Sequence, residues 1–335
     1  LTATKLPSSS ESVRTTLSVA VSTTCRPALE HTSTQAPSGV EATPPAHGEY
    51  VAGQLQTAWS ERWRYPWNVI VPVRFGQQLG FFSHRYQDNE ACLDALDPSS
   101  GRLTTVWRKK WTLRWDQIVP VSFGADTGLL SFCSDQNTVN LDRFGADGSL
   151  TNVWGRQEAF WDVVVPFRLN GESGVLKHRF AGREFELCCF DAGGQLRVET
   201  RWTAGRYPQR DVMVPVTLGG RVGVFSHRWQ NREALLEWLA RVRDTQASPP
   251  RDVLALQGQW QSTWGKDWDI IVPVSWGAGS CGLMSYDSDG GQACLDRFAA
   301  DHTLEEQWRQ ELDPRPNLLA ALPVGDKTWV LSHSW

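Results

Sequence analysis

One short phrase recurs six times along this chain: an aliphatic run closing on Val-Pro or Leu-Pro, usually opened by Trp-Asp and followed by an aromatic residue and Gly. Its prolines are Pro72, Pro120, Pro166, Pro215, Pro273 and Pro323, spaced 48, 46, 49, 58 and 50 residues apart. A period of roughly 40–50 residues built from short strands marks a β-propeller, one four-stranded blade per repeat. The expected fold is all-β: a six-bladed propeller of four-stranded blades over residues 49–335, preceded by a Ser/Thr/Pro-rich segment over residues 1–48.

The second repeat shows how one unit reads. Trp115-Asp116 opens it, and residues 117–123, 129–133, 139–144 and 150–154 read as four successive strands. Residues 124–128, 135–137 and Asp147-Gly148 separate them with the Gly, Asp and Asn of hairpin turns. The first strand is almost wholly apolar, as a strand covered on both faces must be. Proline inside it removes a ladder donor and is tolerated only at a sheet edge. The innermost strand of a propeller blade is such an edge, so the six prolines place this strand at the axis.

The last repeat supplies two strands, near residues 318–324 and 328–335, and then the chain stops. Residues 50–59 carry the fourth-strand pattern ahead of the first inner strand. N-terminal and C-terminal segments are therefore expected to pair in one blade and close the ring. Residues 16–22 alternate like a strand and are the candidate for that blade's missing third strand.

Composition narrows the partners. Net charge is −4 over 335 residues with both signs interspersed, and no basic stripe or tail calls for nucleic acid. No apolar run approaches the roughly 18 residues of a membrane span. Seven Cys without a C-x-x-C pair argue against a metal ribbon or redox motif. Cys281 and Cys294 flank a hairpin turn at residues 287–291, and either a disulfide or two free buried thiols fits that spacing. Asp287-Ser-Asp289-Gly290 opens like a calcium loop but lacks the closing carboxylate. Nucleophile elbows, phosphate-binding Gly loops and H-E-x-x-H are absent. No metal and no cofactor is expected. The composition of residues 1–48 suits an exported protein, secreted or in the endomembrane lumen, with the cytoplasm as the alternative.

Tryptophan is the outlier, with 18 residues against 5 Tyr, and most of it falls in fixed slots. Trp59, Trp107, Trp154, Trp202, Trp260 and Trp308 close the fourth strand. Trp67, Trp115, Trp161 and Trp268 stand just before the inner strand, and Trp63, Trp111 and Trp264 four residues earlier. Large aromatics at fixed register pack between blades, while those on the entrance loops are also placed to line a site. Asn68, Asp116, Asp162, Asp211 and Asp269 precede the inner strand, the sixth slot falling on Leu319 with Asn317 nearby. They form either a ring around one channel mouth or a set of Asx bonds that fix each turn. The second-strand slot reads His84, Phe132, His178, His227, Tyr286 and His333. Blades hold these apart, so packing between blades suits them better than a shared metal.

An asymmetric site in a repeating scaffold must come from departures. Repeat four has Arg210 where others have Trp, preceded by Arg206-Tyr207. It also carries an insertion over residues 233–254, expected to form a short helix and loop over one mouth. Repeat three has Lys177 where others have Ser, and repeat six breaks the entrance motif at Pro316-Asn317. The candidate site is the entrance mouth, with Arg210, Tyr207 and Tyr65 as catalytic donors among the substrate-binding Trp67, Trp115, Trp161 and Trp268.

The Trp-Asp-x-Ile-Val-Pro-x-x-Phe-Gly phrase, with Leu-Leu-Ser-Phe downstream, resembles bacterial propeller repeats of the FG-GAP type without their calcium loops. The Trp-rich propeller character of residues 49–335 also resembles the fungal hetero-Diels–Alderases of tropolone-sesquiterpenoid pathways. That resemblance implies small hydrophobic substrates: a tropolone- or phenol-derived quinone methide and a humulene-type alkene, joined by a cofactor-independent [4+2] cycloaddition. An aromatic cavity that aligns two apolar partners, with a donor on the quinone oxygen, suits such chemistry. The rival from another class is a carbohydrate-binding lectin with repeated Trp pockets, and a protein-binding scaffold is the third reading. A lectin predicts a similar site in every blade, whereas the enzyme predicts one site built from the irregular blades.

Overall fold

The computed structural model describes residues 13–20, 55–63, 66–123, 126–203, 210–245, 250–265, 267–276, 280–312, 315–325 and 327–334. The protein is all-β in a propeller arrangement, and every sheet has four antiparallel strands. Strands β1 (Val13–Ala20) and β2 (Leu55–Trp63) precede the first complete repeat. Blade I is β3 (Val69–Phe75), β4 (Gln78–Arg85), β5 (Glu90–Leu96) and β6 (Leu103–Lys110). Blade II is β7 (Gln117–Phe123), β8 (Asp126–Cys133), β9 (Thr138–Phe144) and β10 (Leu150–Gln157). Blade III is β11 (Val163–Leu169), β12 (Glu172–Arg179), β13 (Glu184–Phe190) and β14 (Leu196–Thr203). Blade IV is β15 (Val212–Leu218), β16 (Arg221–Arg228), β17 (Glu233–Asp244) and β18 (Arg251–Thr263). Blade V is β19 (Ile270–Trp276), β20 (Ser280–Asp287), β21 (Gln292–Phe298) and β22 (Leu304–Glu311). These five blades are continuous in sequence, where the proline period predicts six.

The remaining sheet is composite, in the order β2-β1-β24-β23, with β23 (Leu318–Val324) and β24 (Lys327–Ser334) from the C-terminus. Strand β1 pairs β24 from Arg14↔Ser334 to Ala20↔Thr328 and pairs β2 on its other side. The alternating segment expected at residues 16–22 thus supplies the third strand, beginning three residues earlier than the pattern suggested.

Each proline-bearing strand sits at the edge of its sheet and touches the inner strand of the next sheet all the way round. The edge position explains how six central-looking strands tolerate proline. Apolar faces alternate along each strand and supply two seams at once. In β4, Phe81 enters the core shared with the composite sheet, and Phe82 enters the core shared with blade II. One hydrophobic cluster fills each of the six seams, including those on both sides of the composite sheet.

A β-bulge recurs on the fourth strand of each blade, where the register shifts opposite Leu93 and Asp94 in blade I and opposite Leu236 and Glu237 in blade IV. Facing the bulge, the third strand leans onto a glycine of the second strand. A Cβ on Gly80 would lie 2.0 Å from the Asp94 carbonyl oxygen, and one on Gly174 would lie 2.3 Å from that of Cys188. Only glycine permits that approach.

One expectation is corrected. The described residues of the insertion in repeat four form no helix over a mouth. It lengthens β17 and β18 to 12 and 13 residues, paired from Glu233↔Thr263 out to Asp244↔Arg251. Its run of Leu, Ala and Val alternating with Arg and Asp satisfies strand periodicity, so the pairing simply continues outward. Of the two readings open for Cys281 and Cys294, the structure has free thiols: Cys294 faces Ser285 across the ladder while Cys281 faces Ser275.

Candidate functional site at the seam between blades III and IV

The entrance motif builds joints before it builds any site. Asn68 accepts a hydrogen bond from the Tyr86 amide at 2.8 Å, Asp116 from Ser134, Asp162 from Phe180, Asp211 from Trp229 and Asp269 from Ser288. Each side chain therefore ties the start of the inner strand to the residues just beyond the second strand. The sixth position is Asn317, whose amide donates to the His333 carbonyl as that of Asn68 donates to His84. Leu319 lies inside the strand instead, buried in the last seam.

The second-strand slot is equally structural. His84, His227, Tyr286 and His333 are fully buried, and Phe132 and His178 nearly so. His333 Nε2 accepts from the Trp67 amide at 3.0 Å, linking the composite sheet to blade I. His84 and His227 lie against the backbone of Trp115 and Trp268. Burial depresses the basicity of these rings, to about 4 for His84 and about 3 for His333. Among the described residues no three His, Cys, Asp or Glu side chains converge as metal ligands do.

Tryptophans at the strand ends bridge neighbouring blades. Trp107 Nε1 donates to the Gly148 carbonyl in blade II at 2.8 Å, and Trp154 Nε1 to Gly194 in blade III at 2.8 Å. Of the sequence-predicted binding residues, Trp67, Trp115, Trp161 and Trp268 are 3%, 3%, 3% and 1% exposed. They fill four different seams, so the fold does not bring them together around one mouth. Trp63, Trp111 and Trp264 pack against Trp67, Trp115 and Trp268, edge-on at 6.4 and 6.2 Å for the first two pairs. Tyr65 and Tyr207 lie outside the described residues.

Arg210 is different. It stands in the slot of those four tryptophans, and its seam contains a cavity of about 290 Å³. Phe185, Thr200 and Trp202 of blade III form one wall; Arg210, Glu237, Ala255, Leu256 and Gly258 of blade IV form the other. The aromatic wall is a continuous stack: His178 lies on Phe185 at 3.9 Å and 10°, and Phe185 on Trp202 at 5.2 Å and 7°. Trp202 belongs to the bridging class, but the long β17–β18 hairpin replaces the short turn that receives Trp107 and Trp154 in earlier seams.

Arg210 is 4% exposed, with its guanidinium 5.5 Å from the Phe185 ring centre. Its Nη1 is ion-paired with Glu237 Oε2, and its Nε is buried without a partner among the described residues. Glu237 holds the place after the bulge where blades I, II and V have Asp94, Asp142 and Asp296. Burial raises the pKa of all three aspartates, that of Asp296 to about 6. The longer glutamate meets the arginine, so two departures in one blade are coupled. Burial, with Arg210's charge acting in the same direction, keeps His178 below its ordinary pKa. The Thr200 hydroxyl donates to the Leu254 carbonyl at 2.6 Å and pins the long hairpin against blade III.

Reasoning from sequence found Arg210 but missed Glu237, Phe185 and Thr200, and assigned Trp202 to packing. The readable signal was the Asp-to-Glu change in the repeat that also exchanges Trp for Arg. Lys177, the other departure singled out, joins a closed network. Its Nζ lies 2.6 Å from both Glu158 Oε1 and Glu186 Oε2, and 4.6 Å from the Trp161 ring centre. A shallower hollow of about 620 Å³ lies at the entrance side of the same sector, lined by Arg183, Arg228 and Trp229 among others. Its polar groups are exposed or half-exposed, unlike the buried pair in the seam.

No family model matches the chain, and no curated protein matches it. Solved structures of similar arrangement include a protein from Lactobacillus plantarum, 12% identical, with a TM-score of 0.44 over 76% of this chain and 71% of that one. A functionally unknown protein from Desulfotomaculum acetoxidans is 11% identical, with a TM-score of 0.46 over 78% of this chain and 76% of that one.

Proposed function

We propose that the composite sheet is the sixth blade of a closed propeller, and that the protein binds one small ring-bearing ligand in the seam between blades III and IV. The observation that carries this reading is a cavity with the buried Arg210–Glu237 pair on one wall and the Phe185–Trp202 stack on the other. Buried polar groups left without partners cost about 1–3 kcal/mol, and a ligand seated between these walls would supply partners. One site, in the one blade that combines Arg for Trp, Glu for Asp and a lengthened hairpin, argues for a single-site binder over a lectin with a pocket per blade.

Binding of one ligand is favoured over the cycloaddition of two. At about 290 Å³ the cavity stands at the lower limit of the roughly 300–1,000 Å³ that encloses a drug-sized molecule. The walls offer one buried ion pair and one aromatic face, enough to orient a single ring. The test uses Gly258, which lines the cavity and where an added Cβ meets nothing within 4 Å. Gly258→Leu is expected to keep its fold and abolish ligand-dependent changes in tryptophan fluorescence. Ligand responses unchanged by Gly258→Leu would refute the seam as the site. Stereoselective adduct from a quinone methide and a humulene-type alkene, above background by chiral LC–MS, would restore the cycloaddition.

A further inference from the structure

We propose that the seam ligand is an uncharged, hydroxyl-bearing ring, chemically a neutral monosaccharide unit; this rests on the seam being the binding site. The argument is an inventory of what the walls offer. Arg210 lines the cavity and donates one of its five guanidinium N–H groups to Glu237, so this wall is not short of donors. Glu237, its ion-pair partner, is an acceptor only and lines the cavity. Thr200 spends its proton on the Leu254 carbonyl, so its hydroxyl faces the cavity as an acceptor. The polar wall therefore offers donors and acceptors together. A ligand that satisfies it must bring both acceptors and donors. Adjacent hydroxyls on a ring do both.

Charge excludes the obvious competitors. Arg210 and Glu237 neutralise each other, so the pair gives an anion no net attraction. Drawing Arg210 toward an anionic ligand would strip a buried carboxylate of its partner, which is strongly destabilising. A cation meets the same obstacle through Arg210. A wholly apolar ring leaves the polar wall unsatisfied and loses the benefit of filling the cavity. The face of the Phe185–Trp202 stack suits the C–H face of a saturated ring. The neighbouring His178 is stacked on the far side of Phe185 and held uncharged, so it adds no charge to the site.

The experiment titrates the full chain with methyl glycosides of glucose, galactose, mannose and fucose. Parallel titrations use glucuronate, benzoate and cyclohexane-methanol, with calorimetry and tryptophan fluorescence as readouts. The expected result is binding of at least one neutral glycoside and none of the other three. Affinity is expected to fall roughly tenfold or more in Trp202→Leu and to vanish in Gly258→Leu. In Glu237→Gln the seam gains net positive charge, so preference is expected to turn toward glucuronate. Thermal unfolding checks that each variant folds, and Gly258→Leu perturbs no buried polar group. Binding of benzoate or glucuronate to wild type, blocked by Gly258→Leu and without neutral glycosides, would overturn the ligand class and leave the seam standing. Glycoside binding that survives Gly258→Leu, or no binding by any probe, would overturn both.

Discussion

The histidine slot makes a quantitative demand on stability. His84 is fully buried, and burial lowers its pKa from 6.5 to about 4. Asp116 and Asp88 pull upward, and Arg114 pulls downward, by smaller amounts. A base with a lowered folded pKa stabilises the native state above its unfolded value, and that contribution is lost as pH falls. The window therefore runs from about pH 6.5 down to about pH 4. At about 1.36 kcal/mol per pH unit, the 2.5 units between these values are worth about 3 kcal/mol, and about 2 kcal/mol is already lost at pH 5.

Blade II shows how to remove the effect, because Phe132 fills the same slot at 1% exposure. His84→Phe is expected to unfold in urea with stability that depends less on pH than wild type. The difference between the two proteins should shift in the variant's favour by about 2 kcal/mol between pH 7.5 and pH 5. Asp296, with its pKa raised to about 6, contributes in the opposite direction as pH falls, but it is common to both proteins and cancels. Parallel pH profiles, followed by tryptophan fluorescence and by exchange of the β4 amides, would show that the ring is not the buried neutral group described.

Three further outcomes follow from packing. Lys177→Met leaves Glu158 and Glu186 facing each other without a buried cation, and is expected to cost about 3–5 kcal/mol in chemical denaturation. A cost under 1 kcal/mol would mean that water reaches this network. Gly80→Ala places a methyl group against the carbonyl of Asp94, and a loss of about 1–3 kcal/mol is expected from the unfolding midpoint. Trp107→Phe removes the indole N–H that reaches Gly148 across the seam. It should cost about 1–3 kcal/mol and raise amide exchange at the β9–β10 turn while leaving exchange in blade IV unchanged.

Much of the architecture was readable because a repeat states its own rules. Six prolines at a steady period announce six edge strands, since nowhere else in a sheet does proline go unpunished. Turn residues at fixed offsets then place the hairpins to within a few residues: β7, β9 and the start of β10 fall where the second repeat put them, while β8 starts earlier at Asp126. The insertion was misread because its apolar residues suit helix and strand alike. Pairing with β18, a contact distant in sequence, decided for strand.

The site was only half legible. Arg210 announced itself by breaking the tryptophan pattern, but a broken pattern does not say what faces the gap. Local sequence determined the strand order, the axial position of the proline strands, the Asx joints and the identity of the irregular blade, because each depends on residues close in the chain. Tertiary structure alone decided that four entrance tryptophans are dispersed into separate seams. It also decided that Arg210 meets Glu237 from the third strand and Phe185 from another blade. The physical reason is that a seam is made by two blades at once, so its volume, its charge balance and its unfilled donor belong to neither blade's own sequence.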